Sequence, residues 1–178
     1  MKPLKIAMMS MTHGHTRKYY DGLKNNPKLE WVAVSTENED VKQLFLRSVE
    51  GIPCYDSELE MLEKENLDFV IITLPSYMHH PVATYCLEHG VDVFCEKPMA
   101  VTSKEAEEMF SCAEENGCFL MEAMWARLVP GTIKLIEMIN DGLIGEVRGV
   151  EGKFCYSFDE DEMDHHALKP ENGGGSLL

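Results

Sequence analysis

The first turn that could take part in chemistry follows a short apolar run near the amino terminus and reads Ser10-Met11-Thr12-His13-Gly14-His15. A dinucleotide-binding fold usually has Gly-x-Gly-x-x-Gly here, because bare backbone can then approach a pyrophosphate at the start of a helix. The hydroxyls of Ser10 and Thr12 can donate hydrogen bonds to phosphate oxygens. The imidazole of His13 or His15 can do the same, although these side chains also fill space that glycine leaves open. The sequence therefore predicts a phosphate-binding turn whose mode departs from the glycine-rich form.

A second candidate is Lys97, which lies in the turn Glu96-Lys97-Pro98 directly after an apolar run. An ammonium group aimed into a cleft can polarise a carbonyl or orient a substrate hydroxyl. The alternative is a solvated surface charge, which is the usual state of lysine. The position of the turn in the fold decides between these two interpretations.

The elements that must position these turns alternate between strands and helices. Ser57 with Glu60, and Thr102 with Glu105, have the spacing of helix-capping boxes. Leu59 and Leu62 are expected to face inward from the first of these helices. The predicted strands cover residues 5–9, 31–34, 52–55, 69–72, 91–95 and 119–123, and the predicted helices residues 16–25, 40–49, 57–65, 81–90 and 102–116. Strands separated by helices of this length predict an α/β fold with a doubly wound parallel sheet.

The pattern changes after Arg127. A predicted helix with one apolar side is followed by an extended segment over residues 146–158, an acidic run, the pair His165-His166 and a terminal glycine run that ends in Leu177-Leu178. A glycine run that leads into apolar residues is typical of the beginning of a new element, so we expect the chain to be truncated. The extended segment would leave an exposed sheet edge and an uncovered apolar face, which predicts aggregation or dimerisation of this chain alone.

Composition excludes several classes of partner. Sixteen basic against thirty-one acidic residues give a net charge of −15, which disfavours nucleic acid and anionic membrane surfaces. No apolar run approaches the roughly 20 residues of a membrane helix, and the first one is too short for a signal peptide, so we expect a cytoplasmic protein. The six cysteines form no Cys-x-x-Cys pair and are interpreted as buried, reduced thiols.

Taken together, these motifs resemble the Gfo/Idh/MocA oxidoreductases. In that family a Thr-Pro-Asn-x-x-His turn follows the fourth strand and a Glu-Lys-Pro turn follows the fifth; here the matching segments are residues 74–79 and 96–98. Residues 122–130, 142–147 and the terminal Gly-Gly-Gly-Ser-Leu-Leu are similar as well. The resemblance implies a dinucleotide-binding Rossmann domain over residues 1–125, and over residues 126–178 the incomplete beginning of an α+β substrate and oligomerisation domain.

The resemblance also implies an activity and a set of site residues. Hydride would pass between a nicotinamide cofactor and a sugar-like or other alcohol or ketone substrate, in a homo-oligomer. Lys97 would be catalytic, next to the nicotinamide, and the Lys97–Pro98 peptide would be cis. Cofactor contacts are implied for Ser10, Thr12, His13, Gly14, His15, Thr36, Glu37, Leu74, Pro75, Ser76, His79, Glu96, Lys97 and Pro98. His79 could equally be a buried structural histidine, and Arg127 could contact a substrate oxygen or form an interdomain salt bridge.

The residues after the second strand bear on the choice between NAD and NADP. An acidic residue there binds the ribose 2′-hydroxyl of NAD and repels the phosphate of NADP. The sequence is Ser35-Thr36-Glu37-Asn38, with the carboxylate one place later than usual and no arginine directly after it. This pattern favours NAD.

Three functional hypotheses remain open on the sequence alone. The first is the dehydrogenase, inactive as this chain, because the family's aspartate and histidine would lie beyond Leu178. The second is a non-catalytic cofactor-binding module or pseudoenzyme with a degenerate phosphate turn. The third is a metal site built from His13, His15, His165 and His166; a solvated loop is the commoner explanation, and we predict no metal.

Overall fold

A parallel sheet organises the chain in the computed structural model, which describes residues 2–11, 14–49, 51–153, 155 and 168–169. The strands are β1 (Leu4–Met9), β2 (Leu29–Ser35), β3 (Cys54–Tyr55), β4 (Phe69–Ile72), β5 (Asp92–Cys95) and β6 (Leu120–Glu122). The helices are α1 (Thr16–Leu23), α2 (Glu39–Ser48), α3 (Glu58–Lys64), α4 (His79–Glu88), α5 (Ser103–Asn116) and α6 (Pro130–Asn140). Short 3-10 turns cover Ser76–Met78 and Trp125–Leu128.

The predicted strands and helices from β1 to β6 and the doubly wound fold are confirmed. The six strands lie in the order β3-β2-β1-β4-β5-β6, and all their pairings are parallel. Helix boundaries follow the local signals: the Ser57 hydroxyl caps α3, and Thr102 and Glu105 form a complete capping box on α5. Helix α4 begins at His79, two residues before the predicted Pro81.

The strand order brings the candidate turns to one edge of the sheet. β1 pairs with β2 on one side and with β4 on the other, and Met9 lies opposite both Ser35 and Ile72. Ile72 in turn lies opposite Cys95 at the end of β5. The connections after β1 and β4 therefore diverge at the carboxyl edge, and ligands of open α/β sheets bind in the crevice at such a point.

Alternate residues of the central strands build two core layers, as the two-residue period of a strand requires. Ala7, Met9, Val70 and Ile72 pack with side chains of α3, α4 and α5. Met8 and Ile71 pack with Phe45 of α2 and with side chains of α1 on the other side of the sheet. Leu62 packs against this core as predicted, whereas the prediction for Leu59 is wrong, because half of its surface (50%) is exposed. The α3 residue buried in the core is Met61, two places later.

The segment after β6 is arranged differently. Helix α6 forms as predicted, yet no residue of it is buried. Residues 146–153 and 155 belong to no strand in the structure, so the predicted extended element is not seen there as part of a sheet. The rest of that segment, the acidic run and the glycine run lie outside the described residues. Among the described residues, no helix is both long and apolar enough to cross a membrane.

Candidate functional site

Glu96 is the polar centre of the carboxyl edge. Glu96 is 1% exposed. A carboxylate buried this deeply is stable only when hydrogen-bond donors surround it. Oε1 accepts a hydrogen bond from the Tyr19 hydroxyl at 2.5 Å and lies 2.8 Å from Nδ1 of His15. Oε2 accepts one from the backbone amide of Lys97 at 3.0 Å. One carboxylate thus joins the turn after β1, helix α1 and the turn after β5.

Tyr19 extends this cluster into the core. Its ring meets Phe94 of β5 edge to face, with centroids 5.8 Å apart. Burial raises the pKa of Tyr19 well above its ordinary value, and the hydrogen bond to Glu96 adds to the shift. Tyr19 therefore stays a neutral donor to Glu96 over the physiological pH range. The sequence analysis missed this residue, although its spacing of four from His15 on a helix places both side chains on one face.

The turn after β5 presents Lys97 to solvent. Lys97 and Pro98 are exposed, and the peptide between them is cis, as the resemblance implied. The next amide, Met99 N, donates to Glu122 Oε1 at 2.9 Å. No carboxylate forms an ion pair with Lys97 in the part of the chain that the structure describes. The ammonium is therefore available to a ligand at this edge.

His79 connects the turn after β5 to the turn after β4. Its ring is buried, with Nε2 2.7 Å from the carbonyl oxygen of Leu74 and Nδ1 2.9 Å from that of Pro98. Burial lowers the pKa of His79, while both carbonyls favour the protonated ring and oppose that shift. Because each ring nitrogen faces a backbone carbonyl, the structure favours the structural alternative for His79 over direct contact with a ligand. Pro75 and Ser76 lie half-buried in the same turn.

The turn after β1 is anchored to β4 by Thr73. The hydroxyl of Thr73 lies 2.6 Å from the carbonyl oxygen of Ser10 and 3.0 Å from that of Met9. Ser10 has a φ of 65°, a left-handed conformation that glycine adopts without steric cost and serine does not. This conformation explains why glycine is usual at this position. Thr73 was not predicted; its position directly after β4, at the sheet edge, was the available signal.

The structure describes the rest of this turn only in part. His15 lies at the amino end of α1, half-buried, and Gly14 before it is exposed. Thr12 and His13 lie outside the described residues. A helix start with an adjacent imidazole and a hydroxyl-bearing turn has the donors that phosphate groups require.

The turn after β2 forms one side of a small cavity. The cavity measures about 250 Å³ and is lined in part by Ser10, Glu37, Asn38, Glu58 and Pro75. Among the described residues, its lining includes two carboxylates and no lysine or arginine. Glu58 is buried and accepts a hydrogen bond from the Ser35 hydroxyl at 3.2 Å. Thr36, also expected at the site, is buried beneath the turn.

Two hypotheses from the sequence are not tested by the described residues. Arg127 is exposed in the 3-10 turn after β6 and forms no ion pair with a described residue. Within the described ranges, no group of three or more His, Cys, Asp or Glu side chains could hold a metal ion. His13, His165 and His166 lie outside those ranges, so the metal hypothesis is not tested by the structure.

The fold and this edge define a dinucleotide-binding Rossmann domain: a parallel sheet in the order 3-2-1-4-5-6 with donor-rich turns at its switch point. Residues 9–124 match the oxidoreductase family with an NAD-binding Rossmann fold known as Gfo/Idh/MocA. The chain belongs to this family, as the resemblance in its motifs implied.

Several characterised proteins are similar to this chain. It is 32% identical to trans-1,2-dihydrobenzene-1,2-diol dehydrogenase of Mus musculus over 83% of its own length and 43% of that protein. It is 37% identical to scyllo-inositol 2-dehydrogenase (NADP(+)) of Bacillus subtilis, over 94% of this chain and 52% of the relative. A 3-ketoreductase from Actinomadura kijaniata, solved with NADP and TDP-benzene, superposes with a TM-score of 0.74 at 26% identity, covering 83% and 45% of the two chains. The chain thus spans about half the length of these relatives.

Proposed function

We propose that this chain binds a nicotinamide dinucleotide along the carboxyl edge of its sheet, as the cofactor-binding part of a dehydrogenase. The substrate class is the alcohol or ketone group of a sugar-like small molecule. The observation that carries the proposal is the buried Glu96 carboxylate, which links His15 of the phosphate turn to the amide of Lys97. Segments 81 residues apart in sequence are thereby joined at the switch point, where dinucleotides bind in this fold.

The hydrogen-bonding groups at this edge match those of a nicotinamide dinucleotide. Donors around the start of α1 suit a pyrophosphate, and the carboxylate-lined cavity after β2 suits ribose hydroxyls, which donate hydrogen bonds. When bound, the nicotinamide ring would supply hydride transfer. Lys97 is exposed beside this edge, and we assign it the role of orienting a substrate hydroxyl or polarising a carbonyl through its ammonium group.

The proposed site prefers NAD to NADP. Glu37 and Glu58 both line the cavity next to the end of β2, and a phosphate on the ribose would meet their negative charges. The Bacillus subtilis relative is named as an NADP(+) enzyme, so this preference would distinguish the chain from it. The described lining residues include no lysine or arginine that would pair with such a phosphate.

Titration of the chain with NADH and NADPH, followed by nicotinamide fluorescence, tests the proposal. We expect saturable NADH binding and weaker NADPH binding. Glu37→Ala should weaken NADH binding about tenfold, because it removes a hydrogen bond to a charged group. The difference in affinity between NADH and NADPH should become smaller in this variant. Glu39→Ala is the matched control, since Glu39 lies on the first turn of α2 and bonds to Gln43. Failure of both cofactors to bind, or equal effects of the two variants, would contradict the proposal.

The proposal also assigns a function to each of two domains. We assign residues 1–125 to cofactor binding and residues 126–178 to the beginning of a substrate domain, because the relatives are about twice as long as this chain. A polypeptide extended to the relatives' length should oxidise a polyol or reduce a ketone, and Lys97→Ala should lose turnover while still binding NADH. Lys104→Ala, a change of an exposed lysine on α5, should leave both unchanged.

A second candidate function is a cofactor-binding module without catalysis. Ser10 in a left-handed conformation where glycine is usual is the observation that favours it, since the phosphate turn then departs from the common form. NADH binding combined with no turnover of any polyol by the extended polypeptide would support this candidate over the first.

A further inference from the structure

Three consecutive residues in the turn after β5 each have a backbone group in contact with a side chain, and for Pro98 and Met99 that side chain comes from another element. The amide of Lys97 donates to Glu96, and the amide of Met99 donates to Glu122 of β6. Between them, the carbonyl oxygen of Pro98 lies 2.9 Å from Nδ1 of His79. Proline has no amide hydrogen to donate, so this carbonyl is the backbone hydrogen-bonding group that Pro98 offers to the rest of the fold.

The imidazole of His79 reaches two turns at once. It lies at the first residue of α4 and is 1% exposed. Its other nitrogen, Nε2, lies 2.7 Å from the carbonyl oxygen of Leu74, in the turn after β4. The ring therefore spans the gap between the turn that carries Lys97 and a turn that lines the cavity beside β2.

We propose that His79 is a positioning residue: its imidazole holds the Pro98 carbonyl against the Leu74 turn, and so sets the position of the turn over residues 96–98 relative to the cofactor. This inference rests on the proposed function for the identity of the ligand. It assigns His79 no contact with substrate or cofactor. The role is exerted through the backbone of its two partners.

The two ring nitrogens can be separated by substitution. The amide nitrogen of asparagine lies near the position of Nδ1, whereas that of glutamine lies near Nε2. His79→Asn therefore keeps a donor towards Pro98, and His79→Gln keeps one towards Leu74. Each variant keeps one of the two contacts that the ring makes with a backbone carbonyl, so a purely structural role predicts similar losses of stability and similar effects on ligand binding. A positioning role for the Lys97 turn predicts that the two variants differ.

The first measurement is NADH titration with the fluorescence of the bound nicotinamide as readout. We expect His79→Gln and His79→Leu to bind NADH about five- to tenfold more weakly, as loss of one oriented hydrogen bond allows. His79→Asn should stay within about twofold of the parent chain. His80→Leu is the matched control, because the neighbouring His80 pairs with Glu108 on α5, away from both turns.

The second measurement is amide hydrogen exchange at Lys97 and Met99 without cofactor. Exchange should be faster in His79→Gln than in His79→Asn, because the former releases the Pro98 carbonyl. Equal exchange and equal NADH affinity in the two variants would overturn the inference. No NADH binding by the parent chain would contradict the proposed function instead, and the exchange comparison would then still decide whether His79 holds the turn.

Discussion

Residues 4–123 and residues 124–153 contain apolar side chains in similar helical and strand-like patterns, but only the first region buries them. The core residues of the sheet and of α3 to α5 have almost no exposed surface. In the second region the large apolar side chains are open to solvent: Trp125, Leu128, Leu135, Ile136, Leu143, Ile144 and Val150. Local sequence is thus enough to form α6, whereas burial requires a partner surface that the described chain does not supply.

This difference has a physical consequence for the second region. Soluble monomers rarely expose a contiguous apolar surface of this kind, so such surfaces usually belong to an interface. This exposure agrees with the expectation from the sequence that the chain alone self-associates. The first region, by contrast, has the buried polar cluster at Glu96 and two packed layers, and its stability should respond sharply to substitution.

The largest expected effect comes from truncating a buried side chain in the packed region. Leu87 on α4 has no exposed surface, so Leu87→Ala should lower the free energy of unfolding by about 2–5 kcal/mol through lost burial and an added cavity. Urea denaturation followed by circular dichroism measures the change. A loss below about 1 kcal/mol would mean that the Leu87 side chain is not tightly packed in this region.

The next effect concerns the buried carboxylate. Glu96→Gln places an amide where two donors and an imidazole converge, and should cost about 1–3 kcal/mol of unfolding free energy. Glu108→Gln, on the exposed side of α5, serves as the control and should change stability little. The same urea titration compares them, and equal values for the two variants would show that the Glu96 cluster is not important for folding.

A pH effect should follow from the buried thiols of the packed region. Burial raises the pKa of Cys86 from 9.0 to about 12, and burial also raises the pKa of Cys95. Above pH 9 the unfolded chain loses these protons while the folded chain keeps them. The free energy of unfolding should therefore fall as pH rises from about 9 towards 12, by at most about 1.4 kcal/mol per pH unit for each thiol. Cys86→Ala should flatten the slope, and an unchanged slope would contradict this origin.

A smaller effect is expected at the start of α5. The Thr102 hydroxyl accepts a hydrogen bond from the amide of Glu105 at 3.2 Å, and the Glu105 carboxylate bonds back to the Thr102 amide. Thr102→Ala should cost about 1 kcal/mol, since one capping partner is lost. Thermal unfolding measures the shift, and Ser103→Ala provides the control because Ser103 is exposed and does not cap the helix.

The smallest effect on stability should come from the exposed second region. Ile136→Ser in α6 should change the free energy of unfolding by less than about 0.5 kcal/mol, because the side chain is not packed in the chain alone. It should nevertheless raise the fraction of monomer in sedimentation experiments, since it reduces the exposed apolar surface. A parent chain that is monomeric at all concentrations would refute the predicted self-association.

Short-range signals account for what could be predicted. The capping boxes at Ser57 and Thr102 and the apolar run of β4 gave the correct elements, and the turns at residues 74–79 and 96–98 gave the family. The prediction for Leu59 failed because a helix of seven residues offers several possible inner faces, and packing against the sheet selects one. Local signals place Tyr19 and Thr73 near the sheet edge, but their hydrogen-bond partners could not be predicted, because each partner lies far away in sequence.

The sequence by itself determined the alternation of strands and helices, the parallel sheet and the kind of turn at each strand end. Those features depend on residues within a few positions of one another, where propensity, capping and periodicity act. Only the tertiary structure decided that Glu96 joins His15 to the Lys97 amide, and that His79 connects Leu74 to Pro98. Such contacts arise when strands distant in the chain become neighbours, because the sheet order then sets which turns share an edge.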